Sequence, residues 1–134
     1  MAHALDAHDG KCKGVHGHSY HLSVTLIGSP ITEEGSPKLG MLIDFTDLKK
    51  IVKEEVITVF DHALVLYEHD PLAETWNHNA TRLIRTPYRP TCENMIVEFA
   101  ARIQRRIESP LKLHSMRLRE TATSYAEWFA GDNN

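Results

Sequence analysis

The chain has 134 residues, 42% hydrophobic and 25% charged, the balance of a globular protein large enough to bury a core, and it is expected to form one domain over residues 1–134. A formal charge of −3 gives no polyanion-binding signature, so nucleic acid is not expected as a partner, although a local basic patch could hold a small phosphorylated ligand. Two cysteines do not make a disulfide framework and nothing resembles a secretory leader or a membrane span, so the expectation is a cytoplasmic protein without a membrane partner.

From His18 to Ile27 the chain alternates as a half-buried strand, with Tyr20, Leu22, Val24 and Leu26 on one face and His21, Ser23 and Thr25 on the other. "GSPITEEGSPKLG" is a turn-rich connection, and "MLIDF" (41–45) reads as the returning strand of a long hairpin. Thr46 is the expected N-cap of a helix whose apolar stripe is Leu48, Ile51, Val52, Val56, Val59 and Phe60, and which the chain leaves at Asp61-His62. Residues 67–90 carry Pro71, Pro87 and Pro90 and read as an extended connection enclosing a short helix or strand. Thr91, after Pro90, caps a second helix with the stripe Met95 or Ile96, Phe99, Ala100, Ile103 and Ile107. "LKLHSMRLRE" and "SYAEWFA" read as two further strands. The order is β-β-α-α-β-β, an α+β class with two helices on one face of a small antiparallel sheet. Open edges on so small a sheet favour pairing between copies or closure.

The nine histidines are many for this length, and "CKGVHGHSY" gathers two of them behind a cysteine. On a strand, His16 and His18 project to one side, the side that continues into Tyr20 and Leu22, which is a platform for zinc. A catalytic zinc needs a third protein ligand. His3, in the apolar "MAHAL", is the choice over His8, which sits in a polar loop; a chance His-x-His on a strand is the plain alternative. Cys12 has three readings that spacing leaves open. It could be a fourth ligand, a proton-accepting thiol poised by Lys11, Lys13 and a metal, or an inert loop cysteine. Asp61 beside His62 suits an acid/base pair, or simply a helix end. Glu120 shares strand parity with Met116 and Leu118, which turns a carboxylate inward. Its partner is either an internal arginine, such as Arg102 or Arg117, or a ligand with two adjacent N–H donors, such as the amino-pyrimidinone edge of guanine or a pterin.

Together "AHAL", "CKGVHGHSY", "GMLIDFTDLK", "FDHALVL", "PTCEN" and "RLRET" stand in the order of the 6-pyruvoyl-tetrahydropterin synthase family, which the chain resembles over nearly its whole length. Cys-x3-His-Gly-His is most similar to the family's 6-carboxytetrahydropterin synthase branch, which serves queuosine precursor synthesis; the 6-pyruvoyl branch usually has a longer gap there. The resemblance implies the tunnelling fold, in which small subunits join their sheets into a barrel, commonly as a homohexamer with active sites between subunits. It also implies one zinc ion per subunit on His3, His16 and His18, a proton-transferring Cys12, an acid/base pair of Asp61 and His62, and a pterin ring held by Glu120 with Thr91 and Glu93 nearby. The substrate it implies is a pterin triphosphate, for whose phosphates Lys11, Lys13, Arg82, Arg85 and Arg89 are candidates. Cys92 stands where the family commonly has a small residue and reads as a packed thiol. Only Met1 and Ala2 precede His3, where family members have a strand, and residues 68–88 carry no family motif.

Overall fold

A computed structural model describes residues 1–77 and 81–133; three positions of the motif-free 68–88 segment, 78–80, lie outside the described residues. Among the described residues, seven strands form two sheets. The first is antiparallel, in the order β3 (His21–Ile27), β6 (Lys112–Arg119), β7 (Tyr125–Phe129). The second, in the order β2-β1-β4-β5, pairs β1 (Ala2–His3) antiparallel with β2 (His16–Gly17) and parallel with β4 (Leu64–Tyr67), which pairs parallel with β5 (Leu83–Thr86).

Alternation decides which face of the antiparallel sheet is buried. Leu22, Val24 and Leu26 turn toward the helices with Leu118, Ala126 and Trp128, while His21, Ser23 and Thr25 stay exposed. Leu113 and Met116 are three positions apart yet both are buried. A bulge reconciles them: Thr25 pairs with Ser115 but Leu26 pairs with Leu113, so His114 is the extra residue and strand parity is reset.

The first long helix starts as α1 (Phe45–Val52), passes through a π-helical stretch at Lys53–Ile57 and finishes as α2 (Thr58–Phe60). Two expectations are corrected at its start. Residues 41–45 form no strand, and the N-cap is Asp44 rather than Thr46. The Asp44 carboxylate accepts the Thr46 N–H at 2.8 Å, so the chain is already turning into the helix where the hairpin would have returned. The apolar run is used for packing instead: a Cβ on Gly28 would stand 2.8 Å from Leu42 Cδ1 and 2.9 Å from Leu111 Cδ2, so glycine lets the connection close onto the start of β6. The expected "extended connection" holds β5, the five-residue α3 (Pro71–Thr75, capped by Asp70) and the edge of β4. Helix α4 (Cys92–Gln104) is capped by Thr91, whose hydroxyl accepts the Asn94 N–H, and buries Met95, Ile96, Phe99, Ala100 and Ile103. Phe99 meets Phe60 at a ring separation of 4.9 Å and ties the two helices together. Each such ring contributes about 1.5–3 kcal/mol by leaving water. Among the described residues no helix is long and apolar enough to cross a membrane.

Candidate active site

The second sheet builds the histidine cluster by register. His3 and His16 are direct cross-strand partners in β1 and β2, and His18 lies two residues past His16 on the same side. The strand breaks between Gly17 and His21, but the three rings still converge, with centroids 4.5–5.4 Å apart. One ligand atom from each lies within 4.8 Å of the others, so the group could hold a metal ion. His8, the alternative third ligand, turns its Nδ1 to its own loop and accepts the Gly10 N–H.

The hydrogen bonds around the rings test whether a cation suits the cluster. His3 Nδ1–H donates to the Pro90 carbonyl and His16 Nδ1–H to the Gly14 carbonyl, each at 2.7 Å. With Nδ1 protonated, both Nε2 atoms carry lone pairs, and they face each other at 3.0 Å. His18 Nε2 is buried and makes no hydrogen bond. His3 is only 2% exposed, and burial holds its pKa below the ordinary histidine range, which keeps the ring neutral. Lone pairs converging in a buried place are what a metal ion satisfies, and the carbonyls fixing the other nitrogens are the usual outer support of metal-bound imidazole.

Glu120, at the end of β6, points into this cluster. Its Oε1 lies 3.5 Å from His3 Nε2 and 3.6 Å from His18 Nε2, and accepts the Tyr20 hydroxyl at 3.0 Å. The internal-arginine alternative is not what is found: Arg102 pairs with Glu98 at 2.6 Å and Arg117 with Glu127 at 2.7 Å. Tyr20 was not singled out by sequence reasoning. Its signal was there, since an inward tyrosine needs a partner for its hydroxyl. Burial and the adjacent Glu120 push its phenol well above the ordinary range, so it remains a donor.

Cys12, Thr91, Glu93 and Glu120 line one cavity of about 260 Å³ with His3. Cys92 borders it as a buried thiol that donates to the Leu118 carbonyl. Asp61 and His62 are not in that cavity. They border a second one, of about 450 Å³, with His18, Tyr20 and Phe60. Although sequence neighbours often point apart, Asp61 Oδ1 and His62 Nδ1 are 3.1 Å from each other, with 58% and 92% of the side chains exposed. Of the candidate phosphate cations, Arg82 is turned onto backbone carbonyls of α2, Arg85 donates to the Ala73 carbonyl and Arg89 pairs with Asp6. Lys11 and Lys13 flank Cys12 on a short 3-10 turn.

Comparison with solved structures defines the class. An uncharacterized protein of Wolinella succinogenes superposes with a TM-score of 0.77 at 18% identity, over 96% of this chain and 92% of that one. The 6-pyruvoyl tetrahydropterin synthase of Plasmodium vivax superposes with a TM-score of 0.68, also at 18% identity, over 95% and 87%. The fold is therefore the α+β tunnelling fold. In sequence, a family model described as 6-pyruvoyl tetrahydropterin synthase matches residues 1–130. A 6-carboxy-5,6,7,8-tetrahydropterin synthase of Haemophilus influenzae is 38% identical over 135 residues, 96% of this chain and 91% of that protein. The chain belongs to the 6-pyruvoyl tetrahydropterin synthase family.

Proposed function

We propose that this chain is a zinc-dependent carbon–carbon lyase that converts 7,8-dihydroneopterin triphosphate and water to 6-carboxy-5,6,7,8-tetrahydropterin, acetaldehyde and triphosphate, a cytoplasmic step of queuosine (7-deazaguanine) biosynthesis. The observation that carries the reading is the convergence of the His3, His16 and His18 rings, one ligand atom of each within 4.8 Å of the others, beside a cavity lined by Cys12, Thr91, Glu93 and Glu120. The 38% identity to an enzyme of that name supports the branch.

His3, His16 and His18 hold one zinc ion per subunit, which when bound supplies Lewis acidity toward the substrate's side-chain hydroxyls. Cys12, beside Lys11 and Lys13, takes a proton from the substrate's carbon framework. His62 exchanges protons at Nε2, because its Nδ1 is turned to Asp61. Glu120 accepts two N–H donors from the pterin edge and so fixes where the side chain lies, with Thr91 and Glu93 at the rim. The exposure of Asp61 and His62, outside the Cys12 cavity, supports a homohexamer in which this pair completes the site of a neighbouring subunit. Lys11 and Lys13 meet the triphosphate.

Mass-spectrometric product analysis of zinc-loaded protein incubated with 7,8-dihydroneopterin triphosphate tests the reading. A 6-carboxy product with acetaldehyde is expected. A 6-pyruvoyl product would keep the site and discard the branch, and metal-loaded protein without turnover would make this a non-catalytic metal- or pterin-binding module.

A further inference from the structure

We infer that Arg82 is a positioning residue for the Asp61–His62 pair. Its guanidinium clamps the carbonyls at the end of α2 and so fixes the turn that aims both side chains. The inference rests on reading that pair as the acid/base dyad.

A helix ends with carbonyls that have no partner within the helix. Here one Arg82 nitrogen, Nη2, gathers three carbonyl oxygens: Thr58 at 3.1 Å, Val59 at 2.5 Å and Asp61 at 3.3 Å. A cation at this end also opposes the negative pole of the helix dipole. The turn it covers is demanding. Asp61 is extended (φ −64°, ψ 133°), His62 is left-handed (φ 57°), and Ala63 N–H donates to the Phe60 carbonyl at 3.1 Å. That is the pattern of a type II turn with His62 in the seat that glycine normally takes. The backbone there is strained for a β-carbon-bearing residue, and strain persists only where the surroundings over-determine it.

Burial cannot supply that determination, because the two side chains stand 58% and 92% exposed. Arg82 supplies it from both of its ends. Its side chain holds the residues before and within the turn, and its own carbonyl accepts the Leu64 N–H at 2.9 Å, just after the turn. The sequence alone left Arg82 among the cations for a phosphate. Its commitment to backbone carbonyls assigns it a different task, carried out through Asp61 and His62 rather than on the substrate.

The test measures kcat, KM, bound metal and melting temperature with 7,8-dihydroneopterin triphosphate for wild type, Arg82→Ala, Arg82→Lys, His62→Ala and the Arg82→Ala/His62→Ala double variant. Arg82→Ala should lose roughly 10- to 100-fold in kcat, the scale of a misplaced catalytic group, with KM changed by less than about threefold and metal retained. Arg82→Lys, which can still donate to the carbonyls, should recover part of the loss. The double variant should be no slower than His62→Ala, since Arg82 acts through that residue. A KM increase with kcat intact would make Arg82 a substrate cation and overturn the inference, as would multiplicative losses in the double variant. Full activity in His62→Ala would remove the dyad reading itself, and the inference with it. Hydrogen exchange gives a readout independent of turnover: Arg82→Ala should accelerate exchange in the peptide covering 57–64, and unchanged exchange there would overturn the inference.

Discussion

The three clustered imidazoles and the imidazole of His62 are held by different means. In the cluster, backbone carbonyls of Pro90 and Gly14 fix two rings from behind, cross-strand register sets their spacing, and burial keeps the inner ring neutral. At His62 the side chain is free to solvent and the constraint sits in the backbone, as a left-handed turn at a capped helix end. A metal site needs lone pairs organised in advance, and the interior of one chain would supply them if the cluster holds the proposed ion. A proton-moving ring must reach a substrate and exchange with water, and outward presentation with the restraint behind it would suit His62 to that proposed role.

Perturbing each region should break this contrast in its own way. His16→Ala removes one arm of the cluster at a two-residue edge strand. Metal content should fall toward zero and kcat by about three orders of magnitude or more, the scale of losing a preorganised electrostatic centre, with the circular dichroism spectrum unchanged. Metal retained at full stoichiometry in this variant would mean that the cluster is not the metal site. His62→Gly should cost on the order of 100-fold in kcat through loss of general acid/base chemistry while leaving metal bound. Stability should hold or rise by up to about 1 kcal/mol, because glycine takes a positive φ without strain; a clear drop in the denaturation midpoint would show that the turn is not strained.

Glu120→Gln keeps the shape and removes the charge. Hydrogen bonds to charged groups contribute about 1.5–3 kcal/mol, so 7,8-dihydroneopterin should bind roughly tenfold to a hundredfold more weakly by calorimetry, with metal content unchanged. The smallest effect concerns the two thiols. Burial pushes Cys92 up to about 11 from an ordinary value of 9.0, so at pH 8 native protein should take one alkyl group per chain, on Cys12. The unfolded thiol ionises from pH 9.0 while the native one resists until about 11, so Cys92 contributes stability at neutral pH that is lost as pH rises across that window. Cys92→Ala should flatten that alkaline decline in melting temperature.

The cluster was legible where its logic is local. His16 and His18 follow from strand parity, the inward turn of Glu120 from its spacing to Met116 and Leu118, and the buried stripe of α4 from helical periodicity. His3 was reached through the apolar character of its neighbours and through the family resemblance, because a two-residue strand leaves no periodic signal. The parallel pair β4 and β5 was missed for a related reason. Leu64, Val65 and Leu66 are all fully buried, so the run does not alternate, and its pairing partners lie far away in sequence. "MLIDF" failed in the opposite sense: it is apolar enough for a strand, but the Asp44 side chain commits it to a helix start. The brace at Arg82 was not readable at all, since nothing in the sequence distinguishes an arginine that meets carbonyls from one that meets phosphate.

The π-helical stretch at Lys53–Ile57 bears on how this protein tolerates insertion and deletion. Such a stretch is one residue wider than the α-helical path, and it delays the rotation of everything that follows. Val56 and Phe60 face the core, and Asp61 and His62 leave the helix in their present direction, because the widened turn takes up that extra residue. Deleting a single residue between 53 and 57 would let the helix close into uninterrupted α geometry with the outgoing chain left close to its present direction, whereas closing the stretch at unchanged length would turn that chain by about 100°. The direction in which this chain offers its exposed carboxylate–imidazole pair is thus set by the widened turn, which makes 53–57 the part of the helix where losing one residue disturbs that pair least.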